Sequence, residues 1–495
     1  MKKNESEQGA INKRLLQENQ RVEEGGGKAR QARQKRLGRL LARERIQILM
    51  EPNSFVEIGR HRQHNHASMD PRLAANNTPG DGIICGIGQL HNLPVAVIAH
   101  DVTLLRGAVG SAGAKKMIKL LDIAIARSIP IITLADSDGA RVFEGVHSID
   151  GWNEVMQRTV LHRTIAPHIT IAFGLCVGAV AYNAMLGDFV GMVDKQSFMF
   201  ITGPSITELS TGESIDIEAL GGISTHTRIT GACHMRCADE HTAISWAQHL
   251  LYYTNLPQKE CTDHPLRKTP QINDIIPQNS KESYDVRRIL NCVFDKKSLL
   301  ELSSEYAQNL LTFMARIGGK SVVVLASQPS IKMGCLDIAS SKKGAKILHY
   351  AQTHNLPVIT LVDTTGYLPG IDQEHGGVLI EGAQLIREYA SLSVPSISVT
   401  LRKCYGGASV LAATAQIRLA LPSAEVAPMG VHAATHLAFG FPKKNTSQEQ
   451  REIFAQEWTE KHTDPWRSAE RGFFDAVIDP SMLRIELWKH LNAIS

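Results

Sequence analysis

Aromatic side chains are scarce in this chain: they make up 5% of its 495 residues, against 39 glycines. So few rings exclude a core built chiefly on aromatic packing, and so many glycines suit an interior of close backbone turns. An excess of charge is missing too. The formal net charge is +4, small for this length and gathered mostly in one place, so bulk charge names no partner and no nucleic-acid partner is expected. No apolar run approaches the roughly 20 residues of a membrane span, because the stretch from Ile169 to Val190 is broken by Cys, Gly, Asn and Asp. The eight cysteines are scattered, and the chain opens on polar residues without an apolar signal segment. Reduced thiols and a cytoplasmic location are expected. What remains is 43% hydrophobic and 21% charged, the composition of a soluble globular protein too long for one ordinary core.

The chain is written twice. Pro130, Thr133, Leu134, Asp136 and Gly139 recur at one constant offset as Pro357, Thr360, Leu361, Asp363 and Gly366. A helical stretch precedes each run, Lys115 to Ala126 and Lys343 to Thr353, with apolar residues at mixed three and four spacing. Well after each turn comes a second apolar strand and a small-residue turn, Gly178-Ala179 in the first half and Gly407-Ala408 in the second. Hairpins are expected around Asn92 and around Gly318-Gly319-Lys320. Strands alternating with helices imply α/β domains whose functional turns lie at the C-terminal ends of the strands. The organisation expected is a flexible N-terminus over 1–24, a first domain over 25–260, a Pro-rich linker over 261–282 and a homologous second domain over 283–495.

Both small-residue turns stand where a buried strand runs into a helix, so successive N–H groups unpaired at the helix start can converge on one oxygen. Small side chains let the acceptor reach the main chain, which makes an oxyanion hole possible; close helix packing is the plainer use of the same residues. The turn Gly139-Ala140-Arg141, mirrored at Gly366, shapes a pocket. Arg141 either pairs locally or meets a ligand anion. Lys28 to Arg45 holds eight basic residues against one Glu on an amphipathic helix pattern, either a solvated face or a cradle for the phosphates of a nucleotide-bearing ligand.

Several other signatures fail. No Gly-x-Ser-x-Gly elbow or placed histidine supports a serine hydrolase. Cys233-His234-Met235-Arg236-Cys237 has the wrong interval and no second pair for structural zinc, so no metal site is expected. Gly318-Gly319-Lys320-Ser321 has Met314 where a Walker loop needs its first glycine. Ala114-Lys115-Lys116-Met117 only loosely matches a biotinylation motif. The chain is expected neither to bind ATP nor to carry biotin.

Taken together, Gly25-Gly26-Gly27, Ala42-Arg43-Glu44-Arg45-Ile46, Pro79-Gly80-Asp81, Gly139-Ala140-Arg141, Phe200-Ile201-Thr202-Gly203-Pro204, Gly334-Cys335-Leu336-Asp337-Ile338, Tyr405-Gly406-Gly407-Ala408 and Pro422-Ser423-Ala424-Glu425-Val426 follow one another in a specific order. In this the chain resembles the carboxyltransferase (β) subunits of biotin-dependent acyl-CoA carboxylases, from about Gly25 to about Ile478.

The resemblance implies two homologous crotonase-like domains of ββα superhelical units in place of an open βαβ sheet. It implies an acyl-CoA substrate on the first domain, biotin carried by a partner subunit on the second, a biotin carboxylase or biotin carrier as partner, and a homo-oligomer, usually a hexamer. By the same resemblance Gly178 and Ala179 hold the thioester enolate oxygen and Gly407 and Ala408 the biotin ureido oxygen. Departures from the family pattern are Asp138 in the turn before Gly139, Ala179 for a usual glycine, and Ser409-Val410 after Ala408. Val410 is expected to help set the acyl pocket. Two alternatives stay open: a decarboxylase running the transfer in reverse, and a non-catalytic CoA-binding scaffold.

Overall fold

The computed structural model describes residues 2–64, 78–254, 263–279, 282–439 and 447–495. The chain divides into two compact units, Met1–Asn255 and Leu256–Ser495, each built on a mixed eight-stranded sheet. The first contains β1 (Val56–Glu57), β2 (Ile83–Leu90), β3 (Leu93–His100), β4 (Ile131–Ser137), β5 (His168–Val177), β6 (Phe189–Val193), β7 (Phe198–Phe200) and β8 (Met235–Cys237). The second contains β9 (Leu300–Leu302), β10 (Leu310–Ile317), β11 (Lys320–Ser327), β12 (Val358–Thr364), β13 (Ser396–Tyr405), β14 (Ile417–Ala420), β15 (Glu425–Ala427) and β16 (Ala476–Val477). Both sheets have one order. β1-β2-β3-β4-β5-β6-β8 with β7 on β5 is matched by β9-β10-β11-β12-β13-β14-β16 with β15 on β13.

Each unit opens on the expected hairpin. His91 and Asn92, with φ of 52° and 61°, turn β2 into β3, and Gly318 and Gly319, with φ of 57° and 84°, turn β10 into β11. Two positive φ angles give a turn twisted like its flanking strands. The strands that follow are parallel and joined by helices, Ser111–Arg127 and Val146–Arg163 in the first unit, Ile338–Thr353 and Val378–Ala390 in the second. A parallel sheet covered on both faces is buried throughout, and every residue of β4 and β12 is. In each sheet the register slips once, beside Asp136 on β4 and beside Asp363 on β12. These bulges swing the ends of β5 and β13 away from their first partners and onto the short strands β7 and β15.

Two expected segments differ from the structure. Lys2–Glu24 is a helix, not a loose tail; its last turn buries Val22, and Gly26 then donates to Thr103 Oγ1 at 3.0 Å. Of the expected linker 261–282, residues 261–262 and 280–281 lie outside the described residues. The rest packs into the second unit: Ile272 and Ile275 join its core beside Leu483 and Leu487, and Thr269 N–H donates to the Ser481 carbonyl at 2.7 Å. The prolines there shape a packed segment, because the neighbouring Ile residues have apolar surface to bury. Among the described residues no helix is long and apolar enough to cross a membrane.

The first core holds neutral histidines. Burial pushes His100 down to about 4 and His168, which contacts Thr133 Oγ1 at 3.0 Å, down to about 3. Both are uncharged in the folded and unfolded chain at pH 7. Below pH 6.5 the unfolded chain takes up protons that the folded one refuses, so stability falls as the pH drops toward these folded values. The loss is about 3 kcal/mol for each histidine by pH 4. Urea melts followed by Trp152 and Trp246 fluorescence should show it: the midpoint drops more between pH 7 and 4.5 in the wild type than in His168→Gln, and equal drops would refute this account.

Candidate active site

In the first unit β4 ends in Ser137, whose hydroxyl donates to the Gly107 carbonyl at 2.7 Å and accepts the Gly139 N–H at 3.0 Å. Gly139 then turns with φ of 94°. Its carbonyl accepts the Val109 N–H at 2.8 Å, and Arg141 N–H returns to the Val109 carbonyl at 2.9 Å. That pattern leaves the intervening Ala140 N–H pointing the other way. A methyl group on Gly139 would lie 2.5 Å from the Val177 carbonyl oxygen and 3.9 Å from Ala179 N, so this turn abuts the end of β5. There Gly178, with φ of 57°, donates its N–H to the Phe200 carbonyl at 3.0 Å, and the helix Ala179–Leu186 begins.

The family resemblance implies an oxyanion hole on Gly178 and Ala179 together. The Gly178 N–H belongs to the sheet ladder, whereas the Ala140 N–H and the N–H groups of the helix's first turn, beginning with Ala179, bond no acceptor among the described residues. Ala179 carries the N-terminal dipole of its helix, which favours negative charge. Both alanines are only partly buried.

The second unit repeats the arrangement with one residue added between its two turns. Gly366, with φ of 121°, takes its N–H to Thr364 Oγ1 at 3.2 Å, and its carbonyl accepts the Leu336 N–H at 2.9 Å. Leu368 N–H returns to the Leu336 carbonyl at 2.7 Å, so Tyr367 stands where Ala140 does. The added residue changes the correspondence at the strand end. β13 ends at Tyr405 as β5 ends at Val177, one step beyond the offset that relates Gly139 to Gly366. The positive-φ match to Gly178 is Gly406 at 58°.

Ala179 therefore corresponds to Gly407, not to Ala408. In the single 3₁₀ turn Gly406–Ser409, the N–H of Ala408 is directed at the Tyr405 carbonyl three residues back, and Ala408 is fully buried. Gly407 is exposed, and a methyl group there would lie 3.4 Å from the Tyr367 ring. The Tyr405 hydroxyl is bound by Glu425, which fixes the strand end before the turn. Val410, expected in an acyl pocket, opens the helix Val410–Ala413 and is buried.

Arg141 takes the local alternative. Its guanidinium is 2% exposed and reaches Asp81 at 2.7 Å, Glu144 at 2.8 Å and the Ala108 carbonyl at 2.9 Å. It clamps the turn that carries Ala140. Among the described residues no metal-binding cluster forms: His234 accepts the Val190 N–H at 3.0 Å, and burial pushes the Cys237 thiol up to about 12.

Sequence reasoning missed the charges beneath the turns. Asp136 is buried against Gly174, where any side chain would overlap its carboxylate. It pairs with Arg45 at 3.2 Å, and Arg45 also grips Glu240 at 2.8 and 2.9 Å and lies 4.3 Å over the Phe173 ring. In the second unit Asp363 pairs with Arg402 at 3.1 Å, and Arg402 stacks on Tyr284. Burial raises both aspartates above the usual carboxylate range against the pull of their arginines. The arginines come from unrelated places in the chain, so the repeat does not reveal them. It does mark the buried lysines, Lys116 on the Gly80 and Ile83 carbonyls and Lys343 on those of Ser303 and Tyr306. These are related by the same offset as Gly139 and Gly366, and burial pushes Lys343 down to about 7.

Residues 33–495 match the carboxyl transferase domain family. The mitochondrial propionyl-CoA carboxylase β chain of Homo sapiens is 34% identical over 98% of this chain and 91% of its own length. The propionyl-CoA carboxylase carboxyltransferase subunit of Haloferax mediterranei is 35% identical over 97% and 95%. Among solved structures, transcarboxylase 12S with methylmalonyl-coenzyme A and methylmalonic acid bound superposes with a TM-score of 0.93 at 32% identity, covering 98% of this chain and 96% of that one. A single-chain, multi-domain long-chain acyl-CoA carboxylase gives 0.86 at 25% identity, with 98% of this chain covering 49% of it. With two crotonase-like units, duplicated strand-end turns and a match over nearly its whole length, this chain belongs to the carboxyltransferase family of the biotin-dependent acyl-CoA carboxylases.

Proposed function

We propose that the chain moves a carboxyl group between carboxybiotin and the α-carbon of an acyl-CoA. The observation that carries this reading is the duplicated turn, with unspent N–H groups at a helix or 3₁₀ start and on the turn beside it in each unit. Two oxyanions need stabilising in this transfer, the thioester enolate and the biotin ureido group, and the two turns supply one candidate hole for each. Ala140 and Ala179 hold the enolate oxygen, and Tyr367 and Gly407 hold the ureido oxygen. Carboxybiotin, delivered by a biotin-carrying partner subunit, supplies the carboxyl group and, once that has left, the base for the α-proton. This chemistry needs no side-chain base from either turn. Donors aimed at developing charge in a water-poor site are each worth about 10²-fold or more in rate.

Exposed apolar side chains lie beside both turns, Val142, Phe143 and Val146 after Ala140, and Ile371, Leu379 and Ile380 after Tyr367. Such surface supports a homo-oligomer that covers it, in keeping with the hexamer assembly of transcarboxylase 12S. The same holes serve transfer in either direction, and a biotin carboxylase partner would set it toward synthesis. A purified oligomer should decarboxylate malonyl- or methylmalonyl-CoA only when free biotin is added. An oligomer that binds CoA yet shows no biotin-dependent loss of carboxyl would refute catalysis and favour the scaffold.

A further inference from the structure

The turn after β3, Leu105–Gly107, holds Arg106 at φ of 55°, a left-handed conformation that costs a residue with a side chain roughly 1–2 kcal/mol. The matching turn of the second unit, Lys332–Gly334, holds Met333 at 53°. Both turns therefore raise a long side chain at the rim of their site, and both are well exposed, Arg106 by 71% and Met333 by 63%. The facing residues also correspond: Asp138 directly precedes Gly139 as Thr365 precedes Gly366. Asp138 N–H donates to the Arg106 carbonyl at 3.1 Å, and Arg106 Nε reaches Asp138 Oδ2 at 2.6 Å. Thr365 Oγ1 lies instead 3.0 Å from Cys335 Sγ. One backbone thus carries two rims, an ion pair on the first unit and a thioether with an occupied hydroxyl on the second.

The ion pair is one-sided. Asp138 lies against Nε as an ion pair, and the guanidinium of Arg106 makes no hydrogen bond to a described residue. A guanidinium drawn to one side by a carboxylate still offers its terminal nitrogens as a planar fork suited to a second carboxylate. We infer that Arg106 is a specificity-determining residue that receives a carboxylate on the acyl thioester, with Asp138 as the positioning residue that orients it. This rests on the first unit being the acyl-CoA side. The carboxylate is either the α-carboxylate gained or lost in the transfer, or one at the far end of the acyl chain.

Equilibrium binding to the full-length oligomer separates these sources. Malonyl-CoA carries the first, glutaryl-CoA the second, and butyryl-CoA neither. Arg106→Gly relieves the backbone strain, so the variant folds. It should lower the affinity for malonyl- or glutaryl-CoA relative to butyryl-CoA by about tenfold, the scale of a lost charged hydrogen bond, and the thioester that falls identifies the source. Asp138→Asn should give a smaller loss in the same thioester. Equal losses for all three thioesters, or none, would overturn the inference. Failure of the wild-type protein to bind any of them would overturn the acyl-CoA assignment of the first unit instead.

Discussion

Replacing Ala179 by proline is expected to lower kcat/KM for biotin-dependent decarboxylation by about 10²–10³-fold while leaving the fold intact. Proline is favoured at the first position of a helix, where its missing N–H has no partner in the helix, and Ala179 occupies that position. The preceding residue is glycine, with φ of 57° and ψ of −114°, so the usual clash with a Cβ before proline does not arise. The substitution removes one donor and sets the ring where the enolate oxygen would be held. Ala179→Gly, which keeps the N–H, should stay within a few-fold of the wild type. If Ala179→Pro retained activity within about fivefold in a correctly assembled oligomer, the hole would have to lie elsewhere. Gly178→Ala would be less informative, because that N–H is committed to the Phe200 carbonyl and the loss would report backbone strain.

Arg45→Ala should destabilise the first unit by about 3–5 kcal/mol, the cost of stripping a partner from a buried ion pair. Asp136 and Glu240 would then share a dry site with no cation among their present partners. Both would take up a proton or admit water, so the loss should shrink as the pH falls and the carboxylates neutralise. A thermal melt at pH 7 should shift by about 10 °C for a unit of this size. The triple variant Arg45→Met, Asp136→Asn, Glu240→Gln should recover much of it, because the cost lies in unpaired charge more than in the pair's absence. A shift below about 2 °C for Arg45→Ala would mean that water already reaches this site. The prediction also bears on catalysis, since Asp136 sits at the bulge that aims β5 at its helix.

Much of this was legible in the sequence because the molecule repeats itself. Pro130, Asp136 and Gly139, with their partners Pro357, Asp363 and Gly366, outlined two α/β domains before any coordinate, since a buried strand and a glycine turn each need a narrow set of residues. The positive φ of Gly139 and Gly366 is the reason those glycines recur. What did not read through is the added residue between the second unit's turns, which moves the match from Gly407-Ala408 to Gly406-Gly407. A one-residue shift is invisible in a run of small residues, where every register looks acceptable.

The sequence by itself determined the duplication, the strand-end turns and the family, because these depend on residue type at fixed local spacing. Only the tertiary structure decided which N–H groups in those turns are left to bind anything. Hydrogen bonding is settled by whatever the fold brings alongside: the Phe200 carbonyl takes Gly178, and the 3₁₀ turn takes Ala408. The same holds for Arg45, which meets Asp136 from 91 positions away in the chain. Its pairing follows from the burial of one charge that required another, a demand that no local pattern records.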